Sequence, residues 1–365
     1  MSQTARYQSL ALPKFPCILA PLAGVSDHPF RRICQRLLCD LTYVEMISAT
    51  ALLYQSKRTL DMLTRHGSEA KLGVQITGKT AEEVGEAVAL LNEMPFDTID
   101  INMGCPVKKV VKTGCGSGIL KDPDRVYNTV LAARKATSKP LSAKIRLGWD
   151  HSTKNALHVS EAIEAAGADF LTVHGRTRSD DYSMPVDLEA IAEIKATRNI
   201  PVIGNGNILS RADAEHMRKA TRVDGVMVSR GALGNPWIFR ELKDPSNNQV
   251  SLDDWLATVR DHVKWQLEAY GNTGVAAICM RKHLLWYAKG WPGVKLLRDR
   301  MNTAATLDDA LDLVDQFREY LTGKQITLRQ DVLQEKIGQR FLWDPKWEMD
   351  RKLDRGVGDD LMVTP

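Results

Sequence analysis

The chain has 365 residues and a formal net charge of +4 at pH 7, enough for one large α/β domain with a smaller one, and compatible with a polyanionic partner without requiring it. Its six cysteines form no C-x-x-C pair, which indicates reduced thiols of a cytoplasmic protein and argues against a disulfide scaffold or a zinc site. No apolar run approaches the roughly 20 residues of a membrane helix, and the N-terminal segment does not resemble a signal peptide, so we expect a soluble protein.

Eight short apolar segments alternate with helical stretches between Cys17 and about Leu242. The predicted strands are Cys17–Ala20, Leu41–Glu45, Lys71–Ile76, Thr98–Asn102, Leu141–Arg146, Phe170–His174, Pro201–Gly204 and Gly225–Ser229. All but the second lead directly into polar or glycine-rich residues, as barrel strands do at their carboxyl ends. Because no G-x-G-x-x-G follows the first strand, the pattern predicts a closed (β/α)8 TIM barrel of the α/β class rather than an open doubly wound sheet.

From Val250 onward the pattern contains helices only, and their short connections favour a compact bundle. Ser251 is expected to cap the first helix, and the predicted helices are Leu252–Tyr270, Val275–Lys289, Pro292–Met301 and Leu307–Leu321. We therefore divide the chain into a catalytic barrel of residues 1–245, an all-α helical bundle of residues 246–323, and an extension of residues 324–365 to which no role is assigned.

A thiol stands at the end of the fourth predicted strand. Cys105 lies between Gly104 and Pro106, which stop the strand, and lysines and further glycines follow it. The carboxyl ends of barrel strands surround one mouth, so this position suits a side chain that reacts with a substrate. Most free cysteines are nevertheless buried and inert, so the spacing leaves both interpretations open.

Polar residues that are far apart in the sequence would become neighbours at this mouth. With Pro21, Leu22 and Ala23 of the first loop, they are Glu45, Gln75, Asn102, Cys105, Lys144, Arg146, His174, Arg176, Asn205 and Arg230. Each alone has a structural explanation, such as an ion pair or a hydrogen-bonded core histidine. Burying so many polar groups costs free energy unless each is paired, so together they predict a polar ligand.

The turns after strands seven and eight are rich in glycine. They read Gly204-Asn205-Gly206-Asn207 and Ser229-Arg230-Gly231-Ala232, and their N–H groups and guanidinium suit a phosphate at the place where barrels often bind one. Two ligand-free turns would have a similar composition. A flat cofactor with its phosphate between these strands and its ring across the mouth also accounts for Gln75, Lys144 and His174.

The segments APLAGVSDHPFRR, VEMISA, VQITG, DINMGCPVKKV, KIRLGW, VHGRTR, VIGNGNI and VSRGALGNPWIF resemble, in order, the signature motifs of the tRNA-dihydrouridine synthases. The resemblance runs from about Cys17 to Phe317. It implies an FMN-binding barrel, a helical bundle that holds tRNA, and NADPH as the reductant.

The chain departs from the family pattern at two positions, because Leu22 stands where methionine is usual and Gly204 where alanine is common. DINMGCPVKKV and RKHLLWY resemble the B-type bacterial enzymes, whereas GILKDPDRVY, RLGWD and SRGALGNP resemble the C-type, so the subtype stays open.

The resemblance also implies a role for each matched residue. The flavin ring would lie along Pro21, Leu22 and Ala23, with Gln75, Lys144 and His174 at its edges and its phosphate on Asn205, Gly206, Asn207, Ser229 and Arg230. Cys105 would be the acid that protonates the uracil, and Asn102 and Arg176 would contact the base. Arg281 and Lys282, on a bundle helix that mixes cations with aromatics, would contact tRNA, although an ordinary solvated face explains them equally well. We expect a monomer without metal or membrane.

Three other functions would each explain only part of the sequence. A flavin barrel that reduces a free pyrimidine or another small enoyl substrate would share the site but leaves the bundle without a purpose. An RNA-binding barrel that has lost its cofactor leaves Lys144, His174, Asn205 and Arg230 unexplained. A flavin-free phosphate-sugar isomerase requires neither Cys105 nor the bundle.

Overall fold

A computed structural model describes residues 1–247, 249–289, 298, 300–301 and 304–323. Its eight parallel strands are β1 Cys17–Leu19, β2 Thr42–Ser48, β3 Leu72–Thr77, β4 Thr98–Met103, β5 Leu141–Arg146, β6 Phe170–His174, β7 Val202–Asn205 and β8 Gly225–Val228. They follow the order β1-β8-β7-β6-β5-β4-β3-β2. A parallel bridge between Ile18 and Leu41 then joins β1 to β2. The predicted (β/α)8 barrel is confirmed.

Strand β2 differs most from its predicted bounds. It extends to Ser48, and its register against β3 shifts between Val44 and Ile47. Glu45 therefore lies at an irregularity inside the strand, whereas the sequence had placed it at the strand end. Such irregularities redirect side chains, and here the carboxylate accepts a hydrogen bond from the backbone N–H of Gly24 in the first loop.

Eleven α-helices accompany the strands in this part of the described chain. They are α1 Gln3–Ser9, α2 His28–Arg36, α3 Ala49–Leu53, α4 Lys57–Met62, α5 Ala81–Asn92, α6 Lys108–Lys112, α7 Pro123–Ala136, α8 Ala156–Ala165, α9 Leu188–Thr197, α10 Arg211–Thr221 and α11 Ile238–Lys243. Side chains of Asp27, Thr80, Asp122 and Ser210 cap α2, α5, α7 and α10 by accepting backbone N–H groups.

Helix α1 was not predicted from the sequence. Gln3 donates to the carbonyls of Glu164 and Ala168, and Arg6 forms an ion pair of 2.8 Å with Asp169. Asp169 directly precedes β6, so α1 lies at the amino-terminal end of the barrel, opposite the mouth. The helix therefore contributes to the floor of the barrel rather than to the site.

The bundle begins with α12 Leu252–Tyr270, capped by Ser251 as predicted, and continues with α13 Gly274–Tyr287 and α14 Leu307–Gly323. The helical character of this part is confirmed. The predicted helix Pro292–Met301 falls outside the described residues except at residues 298 and 300–301, and the extension of residues 324–365 falls outside them entirely.

The bundle packs directly on the barrel. Ile33 of α2, Leu37 directly after it and Trp237 share a hydrophobic core with α12, α13 and α14. Gly234, at φ +70°, approaches the bundle so closely that an added Cβ would lie 2.2 Å from the carbonyl oxygen of Trp286, which requires glycine. None of the helices in the described ranges is long and apolar enough to cross a membrane.

Candidate active site

One side of the barrel mouth is built from carboxamide and carboxylate groups on β3, β4 and β5. The side chain of Gln75 donates from Nε2 to Asp100 Oδ2 at 2.7 Å and accepts at Oε1 from Asn102 Nδ2 at 2.8 Å. Ser142 Oγ donates to the other oxygen of Asp100 at 2.6 Å. Strand pairing sets this order, because Gln75 lies beside Asp100 and Asp100 beside Ser142 in the parallel register.

Cys105 is attached to the end of this hydrogen-bonded chain. Asn102 Oδ1 accepts the backbone N–H of Cys105 at 3.0 Å and that of Gly104 at 3.2 Å. From the other side, Ser117 donates to the Cys105 carbonyl from its N–H at 3.0 Å and its hydroxyl at 2.9 Å. The half-buried thiol is therefore carried on a backbone held from two directions.

The glycine-rich loop packs tightly against this thiol. Gly116 has φ +56°, and an added Cβ there would lie 2.8 Å from the carbonyl oxygen of Cys105. Only glycine combines a left-handed backbone with that approach. Gly116 thus allows the loop to pack closely against the backbone of Cys105.

The other side of the mouth, on β5 to β8, is cationic. Four cations surround His174, namely Lys144, Arg146, Arg176 and Arg230. Burial first, and then the repulsion of these cations, hold the pKa of His174 well below its usual value. The imidazole is therefore neutral, and its Nε2 lies 3.3 Å from Arg176 Nη1, where it acts as an acceptor.

Lys144 stands between the two sides. Strand register places it beside Asn102 on β4 and Thr172 on β6. Burial and Arg146 lower its pKa to about 8, while the negative charges of Asp100 and of a Cys105 thiolate would raise it. Within the described ranges the structure gives the Lys144 ammonium neither a hydrogen-bond acceptor nor an ion-pair partner, so its charge is available to a ligand.

The two turns predicted to hold a phosphate lie side by side. Asn205 Nδ2 donates to the Met227 carbonyl at 2.7 Å and to Ser229 Oγ at 3.2 Å, which ties the end of β7 to that of β8. Asn207 Oδ1 accepts from Arg230 at 3.1 Å. Gly206, at φ +126°, has no room for a Cβ, which would lie 2.9 Å from Val186 and 3.2 Å from the His174 ring. The structure therefore brings together all five residues assigned to the phosphate.

The first loop carries Pro21, Leu22 and Ala23, and a buried ion pair supports it from below. Leu22 N–H donates to Ser26 Oγ at 2.9 Å, and Arg31 donates to the Ser26 carbonyl at 3.0 Å. Arg31 is itself paired with Glu69 at 2.6 Å, both side chains being buried. Leu22 is half-buried and Ala23 exposed, so this segment forms a wall of the mouth that a ligand can touch.

Arg176 is more buried and makes more hydrogen bonds within the protein than its predicted contact with the base suggests. It is 1% exposed, and its guanidinium donates to the carbonyls of Met184 and Tyr182 as well as to Asn207 Oδ1. Contact with a base would require some of these bonds to be exchanged. Its assignment to the uracil edge stays a prediction.

The two bundle residues assigned to tRNA point in different directions. Arg281 donates to the Ala304 carbonyl at 2.8 Å inside the bundle. Lys282 donates to the Gly24 carbonyl in the first loop of the barrel. Lys282 therefore reaches the mouth, while Arg281 does not, and a role in RNA binding stays a prediction for both.

Asp100 and Ser142 belong to the site but were not predicted from the sequence. A usable signal existed, because Asp100 and Asn102 are two residues apart on one strand and must face the same side. What was lacking was the cross-strand register that places Gln75 and Ser142 on either side of Asp100.

The charges of the mouth identify the kind of ligand that fits. Four cations meet around a neutral histidine, and a carboxylate that accompanies them, Asp100, is already bonded to Ser142 and Gln75. An anionic ligand would offset this excess of positive charge. No group of three or more His, Cys, Asp or Glu side chains suited to a metal occurs in the described ranges.

Fold and site together define a (β/α)8 barrel enzyme with a cationic mouth and a thiol at its rim. The family described as Dihydrouridine synthase (Dus) matches residues 18–322. tRNA-dihydrouridine synthase B of Pseudomonas putida is 38% identical over 290 residues, covering 78% of this chain and 86% of that protein. The protein of the same name from Pasteurella multocida is 34% identical over 304 residues, with 82% and 91% covered. The chain therefore belongs to the dihydrouridine synthase family, an oxidoreductase family, as its motifs indicated.

Proposed function

We propose that this protein is a tRNA-dihydrouridine synthase that uses FMN and NADPH to reduce the 5,6-double bond of a D-loop uridine. The observation that carries the proposal is the meeting, at one mouth, of a cationic side around His174 and a thiol-bearing side around Cys105. The names of the matched relatives support tRNA as the substrate.

The residues at the mouth suit FMN. Asn205, Gly206, Asn207, Ser229 and Arg230 would hold the phosphate, and Pro21, Leu22, Ala23, Gln75, Lys144 and His174 would surround the ring. Reduced FMN held by these residues would provide the hydride for C6 of the uracil. Lys144, with its pKa near 8, is mainly protonated at neutral pH and would offset negative charge on the ring.

Cys105 would supply the proton that C5 of the uracil takes up. An ordinary thiol has a pKa of roughly 8.5, so it is mostly protonated at neutral pH and can act as a general acid. The two-sided support of its backbone by Asn102 and Ser117 would fix the direction from which the proton arrives. Lys108 and Lys109 follow on an exposed face, where they would bind RNA phosphates.

A base stacked inside a folded RNA must be turned outward before it can enter the barrel mouth. Asn102 and Arg176 would then contact its edge. The bundle, through Arg281 and Lys282, would provide electrostatic attraction for the sugar-phosphate backbone. This division of labour gives the bundle a purpose that a free pyrimidine substrate would not.

Two measurements test the proposal. The purified protein should be yellow, with the absorption bands of a flavin, and should reduce uridine in tRNA while leaving free uracil unchanged. Dihydrouridine mapping in tRNA from cells with and without the gene should then reveal one or a few D-loop positions that depend on it. A colourless protein that takes up no FMN, or an identical dihydrouridine map in both strains, would refute the proposal.

A further inference from the structure

A buried carboxylate lies at the start of the hydrogen-bonded chain that ends at Cys105. Asp100 is 1% exposed and stands between Ser142 and Gln75 in the barrel interior. Burial raises its pKa to about 6, although its bonds to Ser142 and Gln75 and the charge of Lys144 act in the opposite direction. The side chain is therefore mainly ionised at neutral pH.

An ionised carboxylate only accepts hydrogen bonds, and this sets the direction of the groups that follow. Gln75 must turn its NH2 toward Asp100, so its carbonyl oxygen faces Asn102. Asn102 must then turn its own NH2 toward Gln75. Its oxygen is left to accept the backbone N–H groups of Gly104 and Cys105.

The reverse orientation of either amide would set two donors or two acceptors against each other. In a buried place each such unpaired group is destabilising, because it has lost its hydrogen bonds to water without replacing them. One carboxylate thus selects one of two orientations for Gln75, and through it for Asn102. The effect reaches the loop that carries Cys105 through the side chains of Gln75 and Asn102.

We propose that Asp100 is a positioning residue that orients the Gln75 carboxamide toward the bound ligand and fixes the backbone of Cys105 through Asn102. The inference rests on the proposed function, since Gln75 is assigned there to the flavin and Cys105 to the substrate. Because Nε2 of Gln75 carries two hydrogens and Asp100 takes one, the chain leaves an N–H on this side chain for the ligand.

Two substitutions separate hydrogen-bond direction from charge. Asp100→Leu removes the acceptor at similar volume. Asp100→Asn removes the charge, but its oxygen can still accept from Gln75 while its NH2 donates to the Ser142 hydroxyl, which is also an acceptor. Direction along the chain therefore survives in the asparagine variant and is lost in the leucine variant.

The decisive readout is the rate at which iodoacetamide alkylates Cys105 in the flavin-free full-length protein, followed by peptide mass spectrometry. Asp100→Leu should loosen the Cys105 loop and raise this rate by roughly threefold to tenfold, the range of one lost hydrogen bond. The same variant should weaken FMN binding by about tenfold. Asp100→Asn should stay within about twofold of the parent in both measurements, since its bonds persist.

Thr172→Val is the matched control. Thr172 pairs with Lys144 on the neighbouring strand, is fully buried, and its hydroxyl has no hydrogen-bond partner within the described ranges. Its loss should leave both readouts unchanged. If Asp100→Leu had the alkylation rate and FMN affinity of the parent, the proposal would be overturned. Equal changes in the leucine and asparagine variants would also overturn it, because the charge of Asp100 and not the direction of its hydrogen bonds would then be responsible.

If Asp100→Leu does not fold, Gln75→Leu interrupts the chain one step later and must raise Cys105 alkylation to the same degree. An unchanged rate in that variant would equally overturn the proposal. Failure of the proposed function would look different, because the parent protein would then bind no FMN and form no dihydrouridine, whereas alkylation of the flavin-free protein would still report on the chain.

Discussion

The barrel mouth and the junction between barrel and bundle both hold buried histidines in the neutral form, for different reasons. At the mouth, His174 is buried among four cations. At the junction, His262 and His283 lie 4.6 Å apart, centroid to centroid, and pack against the Phe30 ring. Burial is the main cause of the lowered pKa at both places, and it brings that of His262 to about 3.

The surroundings of the histidines differ between the two places. The junction histidines are surrounded mainly by aromatic rings, and the hydroxyl of Tyr287 lies 3.1 Å from Nδ1 of His262. The mouth instead carries an excess of positive charge that an anion would neutralise. A strongly shifted pKa alone would have marked both as functional sites, whereas the number of neighbouring cations distinguishes them. Four act on His174, against Arg36 on His262 and Lys282 on His283.

The proposed function places the reduction of uridine at the mouth, and Cys105→Ala is the substitution expected to impair it most. The variant should retain its yellow colour and oxidise NADPH, because no flavin contact is assigned to the thiol. Dihydrouridine formation should fall by about 10²- to 10⁴-fold, the usual contribution of a general acid. Full product formation, measured by mass spectrometry of digested tRNA, would remove Cys105 from the mechanism.

Of two arginine substitutions, one at each place, only the one at the mouth should weaken FMN binding. Arg230→Gln removes a cation assigned to the phosphate, so FMN affinity should fall by roughly 10- to 100-fold, as expected for a charge-assisted hydrogen bond. Arg36→Gln is the matched control, because Arg36 lies at the junction and pairs with Asp261. Fluorescence titration with FMN gives both affinities. Equal losses in the two variants would mean that the mouth is not the phosphate site.

Most of the barrel could be predicted because buried parallel strands are continuous apolar runs that end at glycine or polar residues. Strand β2 is the exception, since the charge of Glu45 predicts a strand end, whereas an irregular register carries the strand past it. Helix α1 escaped notice because Gln3 and Arg6 read as solvent-exposed polar residues. Their partners, Glu164 and Asp169, are more than 160 positions away.

The residues of the site were predictable by type but not by connection. Strand ends identified Gln75, Asn102 and Cys105 as neighbours, yet nothing in the sequence gives the register that places Asp100 beside Gln75 at the start of their hydrogen-bonded chain. Likewise, Arg176 and Asn207 were placed at the same mouth, but the bonds of Arg176 to the carbonyls of Tyr182 and Met184 depend on the path of a loop. Such contacts arise only from the three-dimensional structure.

Low pH should destabilise the junction between barrel and bundle through His262. The pKa of His262 is about 3 when folded and roughly 6.5 when unfolded, so the unfolded chain binds more protons below pH 6.5 and stability falls as the pH falls. At pH 5 this cost reaches about 2 kcal/mol. In His262→Phe, the loss of unfolding free energy between pH 7 and pH 5, measured by urea titration, should be smaller by about that amount. An unchanged loss would show that His262 is protonated in the folded protein.

The smallest expected effect concerns Lys282, which joins the two regions by donating to the Gly24 carbonyl near Glu45. Lys282→Gln keeps a donor for that carbonyl and avoids a second carboxylate beside Glu45, so flavin content should not change. If the ammonium also contacts an RNA phosphate, tRNA affinity should fall by about two- to fivefold and the slope of log K against log salt by about one.

Lys219→Gln is the control, because Lys219 is exposed near the end of α10 on the floor side of the barrel. It should change neither quantity. Filter binding at several salt concentrations measures both, and an unchanged slope in Lys282→Gln would mean that this lysine serves the junction alone.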